Sequence, residues 1–114
     1  MIKYVALWKL GEGVSPEEFE AEYRTHVEAA AKRMPGLRKY QIGRVLSARG
    51  FDDSYYRIAE LYFDDVESLK SAMNYLTSLS ASDPANPSGA RDLMASTLAL
   101  ICDEETIGLP NQTD

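Results

Sequence analysis

The sequence predicts a single α+β domain with the element order β-α-β-β-α-β. Alternating apolar side chains mark four short segments as strands, and apolar side chains at helical spacing mark two longer segments as helices. The strands are predicted at 2–9, 37–46, 55–63 and 97–103. We place the domain at residues 1–104 and treat 105–114 as a polar C-terminal tail.

The first strand and the first helix have clear local signals. The strand at 2–9 mixes β-branched, aromatic and aliphatic side chains and ends at a glycine-rich turn. Ser15 can cap a helix, Pro16 suits the first helical position and Glu18 completes a capping box. Pro35-Gly36 ends this helix. Its apolar stripe comprises Phe19, Tyr23, His26, Val27, Ala30 and Met34.

The second half of the chain is less regular. A polar turn is predicted at 49–54, and an acidic capping segment at 64–67 starts the second helix. The segment 77–89 is rich in Ser, Pro and Asn and is predicted as a loop, and 90–95 as a short helix. The complete order corresponds to the ferredoxin-like arrangement, in which both helices cover one face of a four-stranded antiparallel sheet.

The third predicted strand carries large apolar side chains on both of its faces. One face has Tyr56, Ile58, Glu60 and Tyr62, and the other has Tyr55, Arg57, Ala59, Leu61 and Phe63. A sheet with only one covered face should be polar on the other. We therefore expect a second copy of the chain on that face, which predicts a homodimer that forms a dimeric α+β barrel.

Composition excludes several classes of function. The net charge is −6, with 45% apolar and 26% charged residues, and no cluster of Lys or Arg stands out, so binding to nucleic acid or to anionic membranes is not expected. The lone Cys102 cannot form an internal disulfide, which favours a cytoplasmic location. No CxxC, HExxH or dinucleotide-binding motif occurs, so neither a metal site nor an organic cofactor is expected.

His26 is the only histidine, and its type of side chain exchanges a proton near neutral pH. It lies on the buried stripe of the first helix, three residues after Tyr23, so the two side chains are neighbours. Two interpretations stay open at this point. The imidazole either bonds a backbone carbonyl as a structural group near the helix end, or it performs acid–base chemistry in a pocket.

Four motifs occur in an order and spacing that resemble the EthD family of dimeric α+β-barrel proteins. They are Ser15-Pro16-Glu17-Glu18-Phe19, Tyr23-Arg24-Thr25-His26, Met34-Pro35-Gly36-Leu37-Arg38-Lys39-Tyr40 and Ala59-Glu60-Leu61-Tyr62-Phe63-Asp64. The resemblance covers residues 1–76 well and implies a small-molecule substrate without any metal or organic cofactor. By motif match, it implies His26, Tyr23 and Tyr40 as catalytic residues. The family's isomerase has a cysteine shortly after the third strand, and this chain lacks it.

Five further residues are candidates for substrate binding. Trp8, Tyr62 and Phe63 are explained first by core packing or dimer contact, but large aromatics of this kind also form the walls of pockets for planar ligands. Arg44 and Glu60 are placed within strands among apolar neighbours. They are candidates for a carboxylate clamp and a proton acceptor, with a salt bridge or a dimer contact as the alternative.

The resemblance and these residues favour a cofactor-free acid–base enzyme, a lyase, dehydratase, cyclase or isomerase of secondary metabolism or aromatic degradation. Its substrate would be a small cyclic or aromatic molecule of polyketide-like or lactone type. His26 would move a proton beside a carbonyl, while Tyr23 and Tyr40 donate hydrogen bonds to the oxygen that gains negative charge. Two alternatives remain open: a non-catalytic metabolite-binding accessory protein for an oxidase, and a cofactor-free monooxygenase.

Overall fold

The computed structural model describes residues 1–47 and 55–110. Its elements are β1 (Ile2–Leu10), α1 (Pro16–Arg33), β2 (Lys39–Arg44), β3 (Arg57–Phe63), α2 (Val66–Ser78), α3 (Ser88–Arg91) and β4 (Met94–Asp103). The strands form one antiparallel sheet in the order β2-β3-β1-β4, which confirms the predicted ferredoxin-like α+β fold. The turn predicted at 49–54 and the tail residues 111–114 lie outside the described residues.

Both long helices begin where the sequence predicts. The Ser15 hydroxyl accepts a hydrogen bond from the Glu18 N–H at 3.1 Å, and the Asp65 carboxylate accepts one from the Ser68 N–H at 2.7 Å. Each bond satisfies one of the backbone donors left free in the first turn of a helix. The turn after α1 needs Gly36, whose φ of +74° is disfavoured for residues with a Cβ.

The core lies between the sheet and the helices. Trp8 of β1 and Phe19 of α1 are buried, with 2% and 0% of their surfaces exposed. Their ring centroids are 6.1 Å apart, and Tyr23 lies 5.2 Å from each of them. This aromatic cluster fixes how α1 lies over β1, and it therefore fixes the position of His26, one turn further along the helix.

The opposite face of the sheet carries apolar side chains on its two adjacent strands β1 and β4. Leu7 pairs with Leu98, and Val5 pairs with Leu100. Leu98 is 45% exposed and Leu100 is 50% exposed. Exposed apolar side chains grouped in this way are typical of interaction surfaces.

The prediction for residues 90–95 is wrong. The short helix α3 spans Ser88–Arg91, and Met94 and Ala95 already belong to β4, where they pair with Leu10 and Lys9. Pairing with β1 overrides the helical preference of this alanine-containing segment. This is a tertiary interaction, which cannot be predicted from the helix propensity of the segment alone. None of the described helices is long and apolar enough to span a membrane.

A register shift in the β1–β4 pairing accompanies this extension. Leu7 pairs with Leu98 but Lys9 pairs with Ala95, so two residues of β4, Ser96 and Thr97, lie opposite one residue of β1. Ser96 has a φ of +51°, as expected at a β-bulge. The Thr97 side chain lies on the helix-covered face of the sheet, where it lines a cavity.

Candidate functional site

A cavity of about 300 Å³ lies between the sheet and the three helices. This volume is at the lower end of the range typical of small-molecule sites. Its aromatic wall comprises Tyr4, Trp8, Tyr23 and Tyr40, and its largest aliphatic side chains are Met34, Leu61, Met73, Leu76 and Met94. The remaining polar side chains are those of His26, Arg91 and Thr97. The cavity is thus mostly apolar with a few polar groups, which is the usual character of a site for a small organic ligand.

His26 is 9% exposed and lines this cavity. Its Nδ1 lies 3.1 Å from the carbonyl oxygen of Pro84. A carbonyl oxygen can only accept, so Nδ1 carries the hydrogen and donates it, and Nε2 keeps a free lone pair. Burial lowers the pKa of His26, and this effect outweighs the opposing effect of the Pro84 hydrogen bond. The ring is therefore neutral at pH 7, with Nε2 available as a base.

The loop that carries Pro84 is held in place by polar contacts. Arg33, in the last turn of α1, donates to both carboxylate oxygens of Asp83 at 2.7 and 2.8 Å. The same carboxylate accepts a hydrogen bond from the Ala85 N–H at 2.9 Å. These bonds fix the backbone on both sides of Pro84, so its carbonyl meets the imidazole in a defined position. The loop thereby selects the tautomer of His26.

Two buried hydrogen-bond donors border the same cavity. Trp8 Nε1 and the Tyr23 hydroxyl are both inaccessible to solvent, and no group among the described residues lies within hydrogen-bonding distance of either. Indole N–H is a donor only, so its partner must be an acceptor. Unsatisfied buried donors are rare in proteins and call for a functional explanation. The side chains of both residues line the cavity, but these two polar atoms expose no surface to it, so a side-chain movement would be needed before either could bond a ligand.

The two tyrosine hydroxyls remain protonated over the physiological pH range. Burial raises the pKa of Tyr23 strongly, and the neighbouring Tyr40 hydroxyl raises it further. Burial also raises the pKa of Tyr40 to about 12. Because both are neutral, each can donate a hydrogen bond to an oxygen that gains negative charge. Tyr23 comes from α1 and Tyr40 from β2, so the fold brings together residues far apart in sequence.

The family model described as the EthD domain matches residues 11–86. The chain belongs to the EthD family. This match includes α1 with Tyr23 and His26, the strand with Tyr40, and the loop with Pro84. It omits Trp8, which lies before it, as well as Arg91 and the rest of the cavity wall that follows residue 86. No curated protein matches the sequence.

Solved structures agree with this assignment. An EthD family protein from Bacillus halodurans is 28% identical, covers 92% of this chain and 99% of its own, and has a TM-score of 0.64. A dimeric ferredoxin-like protein from Bacteroides fragilis is 16% identical, with coverages of 90% and 95% and a TM-score of 0.62. SnoaB, a cofactor-independent oxygenase from Streptomyces nogalater, is 19% identical, with coverages of 96% and 97% and a TM-score of 0.61. At these identities, the last two support the shared fold alone.

Four predicted catalytic and binding residues come together in this EthD domain, namely His26, Tyr23, Tyr40 and Trp8. Whether these residues act on a substrate stays a prediction. The structure brings them together because α1 crosses β1 next to the aromatic cluster. The side chain of Tyr40 in β2 points to the same face of the sheet. The hydrogen bond of His26 to the Pro84 carbonyl also agrees with a purely structural role for this residue. The observed geometry is therefore compatible with both the structural and the acid–base interpretation.

The other four predicted binding residues lie outside the cavity. Glu60 and Tyr62 are on the opposite face of the sheet, because side chains alternate along β3, and the Tyr62 hydroxyl donates to Glu60 at 3.0 Å. Phe63 is fully buried in the core. Arg44 is exposed at the end of β2. The structure therefore does not bring these four residues to His26.

Three polar or aromatic residues of the cavity wall were not predicted from the sequence as site residues, namely Tyr4, Arg91 and Thr97. Tyr4 could have been found, because strand alternation places it on the same face as Trp8. Strand alternation also places Thr97 on the helix-covered face, opposite to Leu98. Arg91 lies at the cavity through the packing of the four-residue helix α3, for which there is no local signal. In the described ranges, no group of three or more His, Cys, Asp or Glu side chains is arranged to hold a metal ion.

Proposed function

We propose that this EthD domain is a cofactor-independent acid–base enzyme that transfers a proton next to a carbonyl group of a small cyclic or aromatic ligand. The proposal rests on the protonation state and tautomer of His26. Its Nδ1–H is committed to the Pro84 carbonyl, burial keeps the ring neutral, and Nε2 is left as the base. Lyase, dehydratase, cyclase and isomerase reactions on polyketide-like or lactone substrates all begin with such a step.

Stabilisation of the resulting enolate is the second requirement. Removal of a proton beside a carbonyl moves negative charge onto the carbonyl oxygen. Tyr23 and Tyr40 line the cavity and are the candidate donors to this oxygen. The Tyr23 hydroxyl has no partner in the described residues and no exposed surface, so it would reach the oxygen only after a small movement of its side chain. Donors held in an apolar cavity stabilise such an oxygen strongly, because little water is present to screen them.

The assay needs no knowledge of the natural substrate. We suggest 2-tetralone, a cyclic aromatic ketone, as a probe, with incorporation of deuterium from D₂O next to its carbonyl followed by NMR. His26→Asn retains a donor amide close to the position of Nδ1 but has no base, and His26→Ala removes both functions. Positioned general bases contribute about 10²–10⁴-fold, so both variants should exchange the probe more slowly by about that factor.

The controls separate loss of a base from loss of folding. Thermal unfolding of each variant should remain cooperative, and Glu28→Gln, an exposed change on the same helix, should exchange the probe at the wild-type rate. Exchange by folded His26→Asn as fast as by the wild type would contradict the proposal. Tight ligand binding without any exchange would favour the accessory binding protein instead.

A cofactor-independent oxygenase is the second candidate. The shared fold of SnoaB and the aromatic wall of the cavity favour it. An electron-rich aromatic deprotonated by His26 could itself supply the electrons that reduce O₂, so the first step would again be proton removal. Oxygen consumption that depends on both substrate and His26 would distinguish this reaction from isomerisation or elimination, which consume none.

We also propose that the protein acts as a homodimer, joined through the sheet face that carries Leu98 and Leu100. Both leucines are about half exposed, at 45% and 50%. The Bacteroides fragilis structure with the same fold is described as dimeric. Pairing two such faces would bury these side chains without covering the cavity, which lies on the other side of the sheet.

A further inference from the structure

Arg91 is the one side chain with a full charge among the described residues that line the cavity. No carboxylate belongs to this part of the wall. The chain as a whole carries a net charge of −6, so a cavity whose single formal charge is positive differs from its surroundings. A cation on an apolar wall favours ligands that carry a complementary negative group.

The guanidinium of Arg91 is not used in an ion pair, in contrast to three other arginines. Arg33, Arg38 and Arg57 each pair with a carboxylate, at 2.7 Å for the first and 2.8 Å for the second. No such pair involves Arg91 within residues 1–47 and 55–110. Its five N–H donors can therefore be offered to a ligand.

The packing of α3 determines where this guanidinium lies. Gly89 faces the carboxylate of Glu22 on α1, and a Cβ at this position would require that carboxylate to move. Ala90 is 2% exposed and also lines the cavity. His26 and Arg91 line the same cavity. The positive charge of Arg91 lowers the pKa of His26, and the negative charge of Glu22 on α1 opposes this effect. The base and the cation thus share one region of the cavity.

We propose that the ligand of this cavity carries a carboxylate group, which Arg91 binds while the ring of the ligand packs against the aromatic wall beside His26. This inference rests on the proposed function in so far as both use the same cavity. Arg is suited to the role because its planar guanidinium can donate two parallel hydrogen bonds to one carboxylate. The substrate class is thereby narrowed from cyclic or aromatic carbonyl compounds to those that are also acids.

The test compares two probes of nearly the same shape, the anionic naphthalene-2-carboxylate and the neutral naphthalene-2-carboxamide, by isothermal titration calorimetry at pH 7.5. Wild type should bind the carboxylate more tightly. Charge-assisted hydrogen bonds justify a preference of about tenfold, toward the lower end of their range because Arg91 is exposed. Arg91→Met should abolish the preference, because it weakens binding of the carboxylate by more than it weakens binding of the neutral carboxamide. Lys70→Met, which removes an equal charge from an exposed site on α2, should retain it.

His26 offers a second readout, because its imidazole signal is the only one of its kind in an NMR spectrum. A bound carboxylate offsets the positive charge of Arg91, so the pKa of His26 should rise in the carboxylate complex and change less in the carboxamide complex. Arg91→Met should remove this difference. The shift separates direct binding near His26 from a general change in the charge of the protein.

Three results would overturn the inference: equal affinity of wild type for the two probes, a carboxylate preference that survives in Arg91→Met, or no binding of either probe. Failure of the proposed enzyme function has a different signature. Carboxylate binding that depends on Arg91, without deuterium exchange into either 2-tetralone or a 2-tetralone that carries a carboxylate group, would leave this inference standing and remove the proton-transfer proposal.

Discussion

Replacing Tyr23 with Phe should stabilise the fold, although Tyr23 lies in the candidate site. The side chain is 3% exposed, and its hydroxyl has no partner among the described residues. A buried polar group without a partner costs about 1–3 kcal/mol. The side chain lines a cavity, into which a small movement would bring the hydroxyl, so we take the lower end of this range, about 1 kcal/mol. The ring contacts to Trp8 and Phe19, both with centroids at 5.2 Å, remain available to Phe.

Tyr62→Phe is the matched control, because it removes the same atom from a hydroxyl that has a partner. Tyr62 is 7% exposed and donates to the Glu60 carboxylate at 3.0 Å. Loss of this hydrogen bond should lower the free energy of unfolding by about 1 kcal/mol, since Glu60 is partly exposed and can be hydrated. The two variants should therefore change stability in opposite directions and differ by about 2 kcal/mol.

Urea unfolding at pH 7 measures this difference, with all proteins at the same protomer concentration because association adds to apparent stability. With a denaturant slope of about 2 kcal/mol per molar, the two midpoints should be separated by about 1 M urea. At the same time, Tyr23→Phe should slow deuterium exchange into 2-tetralone, because a donor to the enolate oxygen is lost. Destabilisation of Tyr23→Phe by about as much as Tyr62→Phe would refute the reasoning.

Two further predictions concern pH and assembly. Because the folded state lowers the pKa of His26 below its unfolded value of about 6.5, its contribution to stability is complete above that pH and is lost as the pH falls toward the folded pKa. Between pH 7 and pH 5, the free energy of unfolding should therefore fall more in wild type than in His26→Asn. An equal fall in the two proteins would contradict this prediction. For the dimer, native mass spectrometry should show two protomers in wild type and Leu46→Glu, but one in Leu100→Glu. A wild-type monomer at micromolar concentration would exclude the proposed assembly.

The parts of the fold that the sequence predicts correctly are those with local causes. The start of α1 depends on Ser15, Pro16 and Glu18, which are adjacent in the chain, and the observed Ser15 cap confirms it. The closeness of Tyr23 and His26 follows from their spacing on one helix. Tyr40 joins them through the topology alone, because β2 and β1 flank β3 on the same sheet.

The incorrect or missing parts have causes that are distant in the chain. Met94 and Ala95 form a strand because β1 is available to pair with them. Arg91 reaches the cavity because α3 packs against α1 and β4. Neither pairing nor close approach leaves a pattern within a short window of sequence, so residue types alone could not identify them.

For the proposed function, this division separates the proposed base from the residues that we propose select the ligand. His26 and Tyr23 lie on a long, regular helix, whereas Arg91 lies on a four-residue helix and Thr97 at a bulge. Loops and irregular segments tolerate change better than the elements that they connect. Variation after α2 should therefore change which ligand is bound while α1 keeps the base. Pro84 limits that freedom, because its carbonyl must still accept the Nδ1 hydrogen for Nε2 to remain the basic nitrogen of His26.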